Sequence, residues 1–249
     1  MPRHRTRAAY RGDMSSFGPP LPADVAAAKR VMRGPLLAAR RARPAVERAA
    51  ARAAIAHHLT AALAGRSCVA AFLPLPTEPL DPALLSRLAG RLRLLIPVVT
   101  GPHPLDWCEY TVATRPGELG IEEPDGPRLG PDAIGDAEVV LVPALAVAAD
   151  GYRLGRGGGH YDRTLALRAR LRGQPAPGPA ADPETPRPVA DPEMDRPAAE
   201  PAAVPPGGPD ELIALVHDDE FGPSVPHDEL DRPVTAAVTP GRGLIRLPG

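Results

Sequence analysis

Residues 139–166 read VVLVPALAVAADGYRLGRGGGHYDRTLA, and the fold class turns on this stretch. VVLVP at 139–143 is apolar without alternation and too short for a helix, the pattern of a strand covered on both faces. A turn rich in glycine follows, with Gly155, Gly157, Gly158 and Gly159 beside Arg153 and Arg156, and it runs into a helical stretch near Tyr161–Leu171. Glycines let successive backbone N–H groups approach phosphate oxygens without Cβ obstruction, and the start of the helix adds the positive end of its dipole. The loop is neither GxxxxGK[ST] nor a complete GxGxxG, because His160 stands where the last glycine would be.

Working outward, the same alternation continues. Strand-like runs occur at 67–75 (SCVAAFLPL), 94–99 (LLIPVV), 107–112 (WCEYTV), 211–216 (ELIALV) and 234–239 (VTAAVT), with a helical stretch across 82–92. Two helices precede them, one capped at Asp24 and kinked or divided at Pro35, the other over Ala45–Ala64. Buried strands alternating with helices predict an α/β fold: a mostly parallel sheet covered on both faces, with ligand at the carboxyl ends of the strands. Residues 1–21 lack periodicity and read as a flexible leader. Residues 22–249 read as a single domain, interrupted at 173–209 by a segment with twelve prolines and no aromatic residue. Such a segment buries too little apolar surface to offset chain entropy and is expected to be a disordered insertion between a helix and a strand.

Composition narrows the function classes. A net charge of −1 and a pI near 6.7 call for neither nucleic acid nor a membrane as partner. The distribution is uneven, since residues 29–66 carry nine basic side chains against the single acid Glu47, which suits an anionic ligand. Cys68 and Cys108 belong to no CxxC pair, which favours a reducing compartment and disfavours a zinc site. The basic first residues lead into no apolar stretch, so the expected location is the cytoplasm.

Four side chains stand out by residue type. Lys29 is the only lysine beside 28 arginines; its compact, mobile ammonium can follow a phosphoryl group in transfer, and Arg33 lies one helical turn on. Glu78 follows the apolar run 69–75 and precedes Pro79, which holds it extended in a loop at the carboxyl end of a strand, where a ligand would sit. Asp162 and Asp231 are two further carboxylates, one at a helix start and one in a turn. On residue type alone a solvated surface role is the commoner fate of Lys29 and Glu78, and for the two aspartates a helix-start or turn role is as frequent as a functional one.

RLGRGGGHYDR at 153–163 is similar to the signature RLG-x-GGGYYDR of the 5-formyltetrahydrofolate cyclo-ligases. The resemblance extends to Lys29, Arg33 and Arg40 at the family's spacing, FLPLPTE ending at Glu78, GIEEP at 120–124 and VPHDELDRPVTAAVTP at 225–240. It implies a three-layer α/β/α sandwich resembling the phosphosugar isomerase and CoA transferase group. It also implies ATP- and Mg²⁺-dependent conversion of 5-formyltetrahydrofolate to 5,10-methenyltetrahydrofolate by a monomer whose ligands are ATP and the reduced folate. By resemblance, ATP falls to Lys29, Arg30, Val31, Met32, Arg33, Arg153, Leu154, Gly155, Arg156, Gly157, Gly158, Gly159, His160 and Tyr161. Catalysis falls to Lys29, Arg156 and Tyr161, folate to Leu73 and Glu78, and Mg²⁺ to Asp162 and Asp231. The chain departs from the family pattern at His160, where Tyr is usual, at Ala144, Val147 and Ala148 in a stretch usually reading PGLAFD, and at Glu220, where Gln is common. Those departures leave a non-catalytic folate- or nucleotide-binding relative as the alternative; an isomerase that needs no ATP and a scaffold acting through the proline-rich segment are more distant ones.

Overall fold

The computed structural model describes residues 22–118, 120–173 and 211–248. The expected leader at 1–21 and, apart from Gly173, the expected insertion at 173–209 lie outside the described residues. Helix α1 spans Pro22–Ala42 and α2 Ala45–Ala62; they precede strand β1 (Cys68–Ala70), helix α3 (Pro82–Ala89) and strands β2 (Arg93–Val98) and β3 (Asp106–Glu109). A hairpin of β4 (Thr114–Pro116) and β5 (Glu122–Pro124) follows, then a 3₁₀ turn at Pro131–Asp136 and strand β6 (Val139–Pro143). Next come a small hairpin of β7 (Ala146–Val147) and β8 (Arg153–Leu154), helix α4 (His160–Gly173), and β9 (Glu211–Leu215). A 3₁₀ turn at Asp218–Glu220 and strands β10 (Ala236–Thr239) and β11 (Gly243–Arg246) complete the described chain.

The seven-stranded sheet has the order β11-β10-β9-β6-β1-β2-β3. Its five inner strands run parallel, while β3 and β11 pair antiparallel at the two edges. The period of two along each strand sorts the core into two clusters. Val69, Leu94, Ile96, Val139, Leu141 and Ile213 face α2 and α3, where Ile55, Leu59, Leu84 and Leu85 are fully buried. Ala70, Leu95, Val140, Val142 and Ala214 face the opposite way, toward Leu165 of α4 and Ile134 of the first 3₁₀ turn. Burying each large aliphatic side chain contributes about 1.5–3 kcal/mol, so these two faces hold the sheet between its helices.

Two expectations are corrected, and the mostly parallel sheet holds with antiparallel strands added at its edges. Pro35 neither divides α1 nor ends it: the helix is continuous from Pro22, earlier than the expected cap at Asp24, to Ala42. Gly34 precedes the proline and has no Cβ for its ring to meet, which removes much of the usual pre-proline conflict. The sheet is mixed at both edges, because Asp106–Glu109 returns beside β2 through a short loop with no helical crossover. The glycine turn does not follow β6 directly; the β7–β8 hairpin intervenes and carries Arg153.

Candidate active site

A cavity of about 750 Å³ opens at the carboxyl ends of the parallel strands. Phe72, Leu73 and Glu78 reach it from the loop after β1, Val99 from the end of β2, and Pro143 and Ala144 from the end of β6. Helix α1 contributes Lys29 and Arg33, the glycine turn contributes Gly155–Gly159, α4 contributes His160, Tyr161 and Asp162, and the segment before β10 contributes Asp228 and Asp231. This is where a doubly covered α/β sheet binds ligand, since the strand ends leave backbone groups and loops free to converge.

Positive charge collects on one side. Lys29 Nζ donates to Asp231 and stands 3.8 Å from Asp228, with its side chain only 13% exposed. Arg33 Nε donates to the carbonyl of Gly155 at 2.8 Å, tying α1 to the glycine turn. Gly157 has φ of +106°, a conformation that favours glycine, and a Cβ there would crowd the Arg33 guanidinium carbon at 3.3 Å. Helix α4 starts at His160, so the turn delivers its amides at a helix N-terminus. His160 Nδ1 pairs with Arg163 Nη2 at 3.2 Å; arginine can only donate, so the imidazole accepts through Nδ1. That arginine also donates to the Gly158 carbonyl at 2.8 Å.

At the other side Glu78 is buried in the turn after β1. Its Oε2 accepts from the Leu75 amide at 2.8 Å, and its Oε1 lies 3.6 Å from Arg156 Nε. Burial pushes the Glu78 carboxyl above its ordinary range, with the Leu75 amide and Arg156 opposing that rise. Arg52 of α2 holds the turn from behind, donating to the carbonyls of Glu78 at 3.1 Å and Pro76 at 2.7 Å. The Tyr161 hydroxyl is buried without a hydrogen-bond partner, and burial with the nearby Glu78 charge pushes its pKa up, so it stays a neutral donor. A cavity-lining hydroxyl in that state suits a ligand oxygen.

Not every expected residue reaches the cavity. Arg30, Val31 and Met32 do not line it: Val31 is 76% exposed, and Met32 packs beside Leu36 and Leu37 against Leu145, Ala146 and Leu154. Arg153 lines it, but its guanidinium already binds Asp162 at 2.8 Å and the Arg232 carbonyl. Arg40, counted from the sequence among the charges facing an anion, is 1% exposed and committed to Glu220. The departures at Val147 and Ala148 are buried among apolar neighbours, so they fill core where a carboxylate would need a partner. Sequence reasoning missed Asp228, which the DELDR run contained, and the β4–β5 hairpin, whose Ile121 and Glu122 close one wall.

Asp162 and Asp231 each already face a cation, Arg153 and Lys29 respectively, and no group of three or more metal-ligating side chains exists among the described residues. That arrangement does not suit an all-protein cage. It does fit Mg²⁺, which keeps several waters and binds through one or two carboxylates plus substrate phosphates.

The model of the 5-formyltetrahydrofolate cyclo-ligase family matches residues 25–178. This chain belongs to that family. It is 34% identical over 196 residues to the 5-formyltetrahydrofolate cyclo-ligase of Mycolicibacterium smegmatis, covering 74% of this chain and 79% of that protein. The fold is also that of the 5,10-methenyltetrahydrofolate synthetase of Aquifex aeolicus, with a TM-score of 0.59 at 22% identity over 89% of this chain and 93% of the other. The synthetase of Mycoplasma pneumoniae gives a TM-score of 0.55 at 17% identity, covering 84% and 96%. In this cyclo-ligase family member the cavity is cationic at one side and carries the buried carboxylate of Glu78 at the other. No helix among the described residues is long and apolar enough to cross a membrane.

Proposed function

We propose that this chain catalyses the ATP-dependent cyclisation of 5-formyltetrahydrofolate to 5,10-methenyltetrahydrofolate, releasing ADP and phosphate. The observation that carries this reading is a single cavity joining Lys29, Arg33 and the glycine turn to Leu73 and Glu78, in a member of the cyclo-ligase family. The finer fold assignment, an α/β/α sandwich of the phosphosugar isomerase and CoA transferase group, belongs to the same proposal. So does action as a cytoplasmic monomer.

The N5-formyl oxygen is a poor leaving group until it is phosphorylated. In the proposed sequence it attacks the γ-phosphorus of ATP, the bond to the β–γ bridging oxygen breaks, and ADP leaves. N10 then attacks the activated formyl carbon, the carbon–oxygen bond breaks, and phosphate departs as N10 loses its proton, leaving the amidinium of the methenyl product. Both steps depend on neutralised charge and alignment more than on covalent catalysis.

Lys29 follows the transferred phosphoryl group, while Arg33, Arg156 and the amides of the glycine turn hold the phosphates. Glu78, held in its turn by the Leu75 amide, accepts from the amino-pyrimidine edge of the pterin, and Leu73 covers its face. The Tyr161 hydroxyl donates to the formyl or phosphoryl oxygen. Asp162 and Asp231 would hold Mg²⁺ with the nucleotide, and the ion supplies further neutralisation of phosphate charge.

The test is growth of methenyltetrahydrofolate absorbance with purified protein, ATP, Mg²⁺ and 5-formyltetrahydrofolate. Growth that requires ATP supports the reading. Binding of both ligands without turnover would instead identify a non-catalytic relative.

A further inference from the structure

We infer that the buried Arg40–Glu220 pair is a positioning device that sets the roll and height of α1, and with them the placement of Lys29 and Arg33 against the nucleotide phosphates; this rests on the ATP reading of the cavity. Among the described side chains of α1 only Val25 and Arg40 are buried. Its apolar contacts are Val25 and the partly buried Met32, Leu36 and Leu37, which pack against Leu145, Ala146 and Leu154 and set no direction for the polar face.

Arg40 supplies that direction. Its Nε and Nη2 each donate to one Glu220 carboxylate oxygen at 2.7 Å, and Nη2 also donates to the Ala144 carbonyl at 2.6 Å. Ala144 follows the end of β6, and Glu220 sits just beyond β9, so one guanidinium pins α1 to the carboxyl ends of two adjacent central strands. Glu220 is fixed in turn, because its Oε2 accepts from the His217 amide at 2.8 Å. The next residues bind β7 through the Gly222 amide and the Val147 carbonyl at 2.9 Å, and beside them Arg43 grips Asp219 with bonds of 2.8 and 2.9 Å.

Helical geometry passes this anchorage to the cavity. At about 100° per residue, Arg33 lies about 40° and Arg40 about 20° from Lys29 around the axis, so all three share one face. Any roll that loosened Arg40 would swing Lys29 and Arg33 away together. A one-residue slip moves them by about 1.5 Å, enough to spoil the alignment that phosphoryl transfer requires. An apolar contact tolerates such slips, whereas a planar guanidinium fork on a carboxylate does not. Buried ion pairs contribute little net stability compared with apolar packing, which makes geometry the more economical reason for this one.

The experiment compares wild type with Arg40→Lys and with the double variant Arg40→Met/Glu220→Gln, which leaves no lone buried charge. Melting temperature, KM for each substrate, ATP binding by calorimetry and amide exchange along α1 are measured on the full chain. The double variant is expected to raise KM for ATP at least tenfold, with KM for the folate changed less than twofold and faster exchange over residues 25–37. Arg40→Lys, which keeps the charge and loses the fork, is expected to fall between and decides the matter if the double variant does not fold. A merely structural pair would lower the active fraction and leave both KM values and the α1 exchange untouched; that result overturns the inference. Wild-type protein that binds no ATP would sink the underlying reading, and the inference with it, whereas wild-type binding matched by the variants sinks the inference alone.

Discussion

Lys29→Gln isolates the contribution of one charge to phosphoryl transfer. In the structure Lys29 Nζ is shared between Asp231 and Asp228, and its side chain is only 13% exposed. Glutamine can still donate to Asp231, so the fold is expected to stay intact, while the two aspartates lose their compensating charge beside an incoming triphosphate. Two unit charges about 4 Å apart attract by about 4 kcal/mol at an effective dielectric of about 20. The carboxylates that share the ammonium and the access of water to it reduce this to about 2–3 kcal/mol at the transition state, which is a fall of about 30- to 150-fold in kcat/KM for ATP. The assay is growth of methenyltetrahydrofolate absorbance at saturating folate across a range of ATP concentrations, with circular dichroism and melting to verify folding. A folded Lys29→Gln protein within threefold of wild type would remove Lys29 from the mechanism.

Glu78→Gln separates function from stability at a single residue. Burial raises the Glu78 pKa above 4.5, so its stabilising contribution is full below pH 4.5 and is lost as pH rises through the folded-state value. The variant keeps an acceptor for the Leu75 amide and should melt above wild type at pH 7 and close to it at pH 4, while losing folate affinity at least tenfold; a lower melting temperature at pH 7 would contradict this. In the wild-type enzyme the acid limb of kcat/KM for the folate should fall above the ordinary glutamate range, because the pterin needs ionised Glu78; a limb at or below pH 4.5 in the pH–rate profile would count against that role. Gly151 has φ of +92°, and a Cβ there would lie 2.7 Å from the Val234 carbonyl oxygen. Gly151→Ala should therefore cost about 2–3 kcal/mol of stability in denaturant titration, and an unchanged midpoint would show that the turn relaxes freely.

Local rules made much of this molecule legible from its residues. The runs VVLVP and LLIPVV form strands here, because short, β-branched apolar stretches between helical segments are covered on both faces. The glycine turn announced close backbone approach, and Lys29 stood out by being alone. Edge strands were harder to read: Trp107 and Cys108 are as buried as residues of an inner strand, and only the place of β3 at the end of the strand order makes it an edge. The small β7–β8 pairing consists of two residues on each strand, too few for any period to register.

What residue type alone determined was the alternation of elements, the chemistry each candidate side chain can perform, and the end of the sheet where they had to gather. Tertiary structure decided which charges remain available to a ligand. Arg33 and Arg40 occupy equivalent positions on one face of α1, yet the first reaches the glycine turn and the second is sealed against Glu220. The physical reason is that a charge is assigned by its nearest partner and its access to water, and both are set by residues about 120 and 180 positions away along the chain, at separations no local pattern can encode.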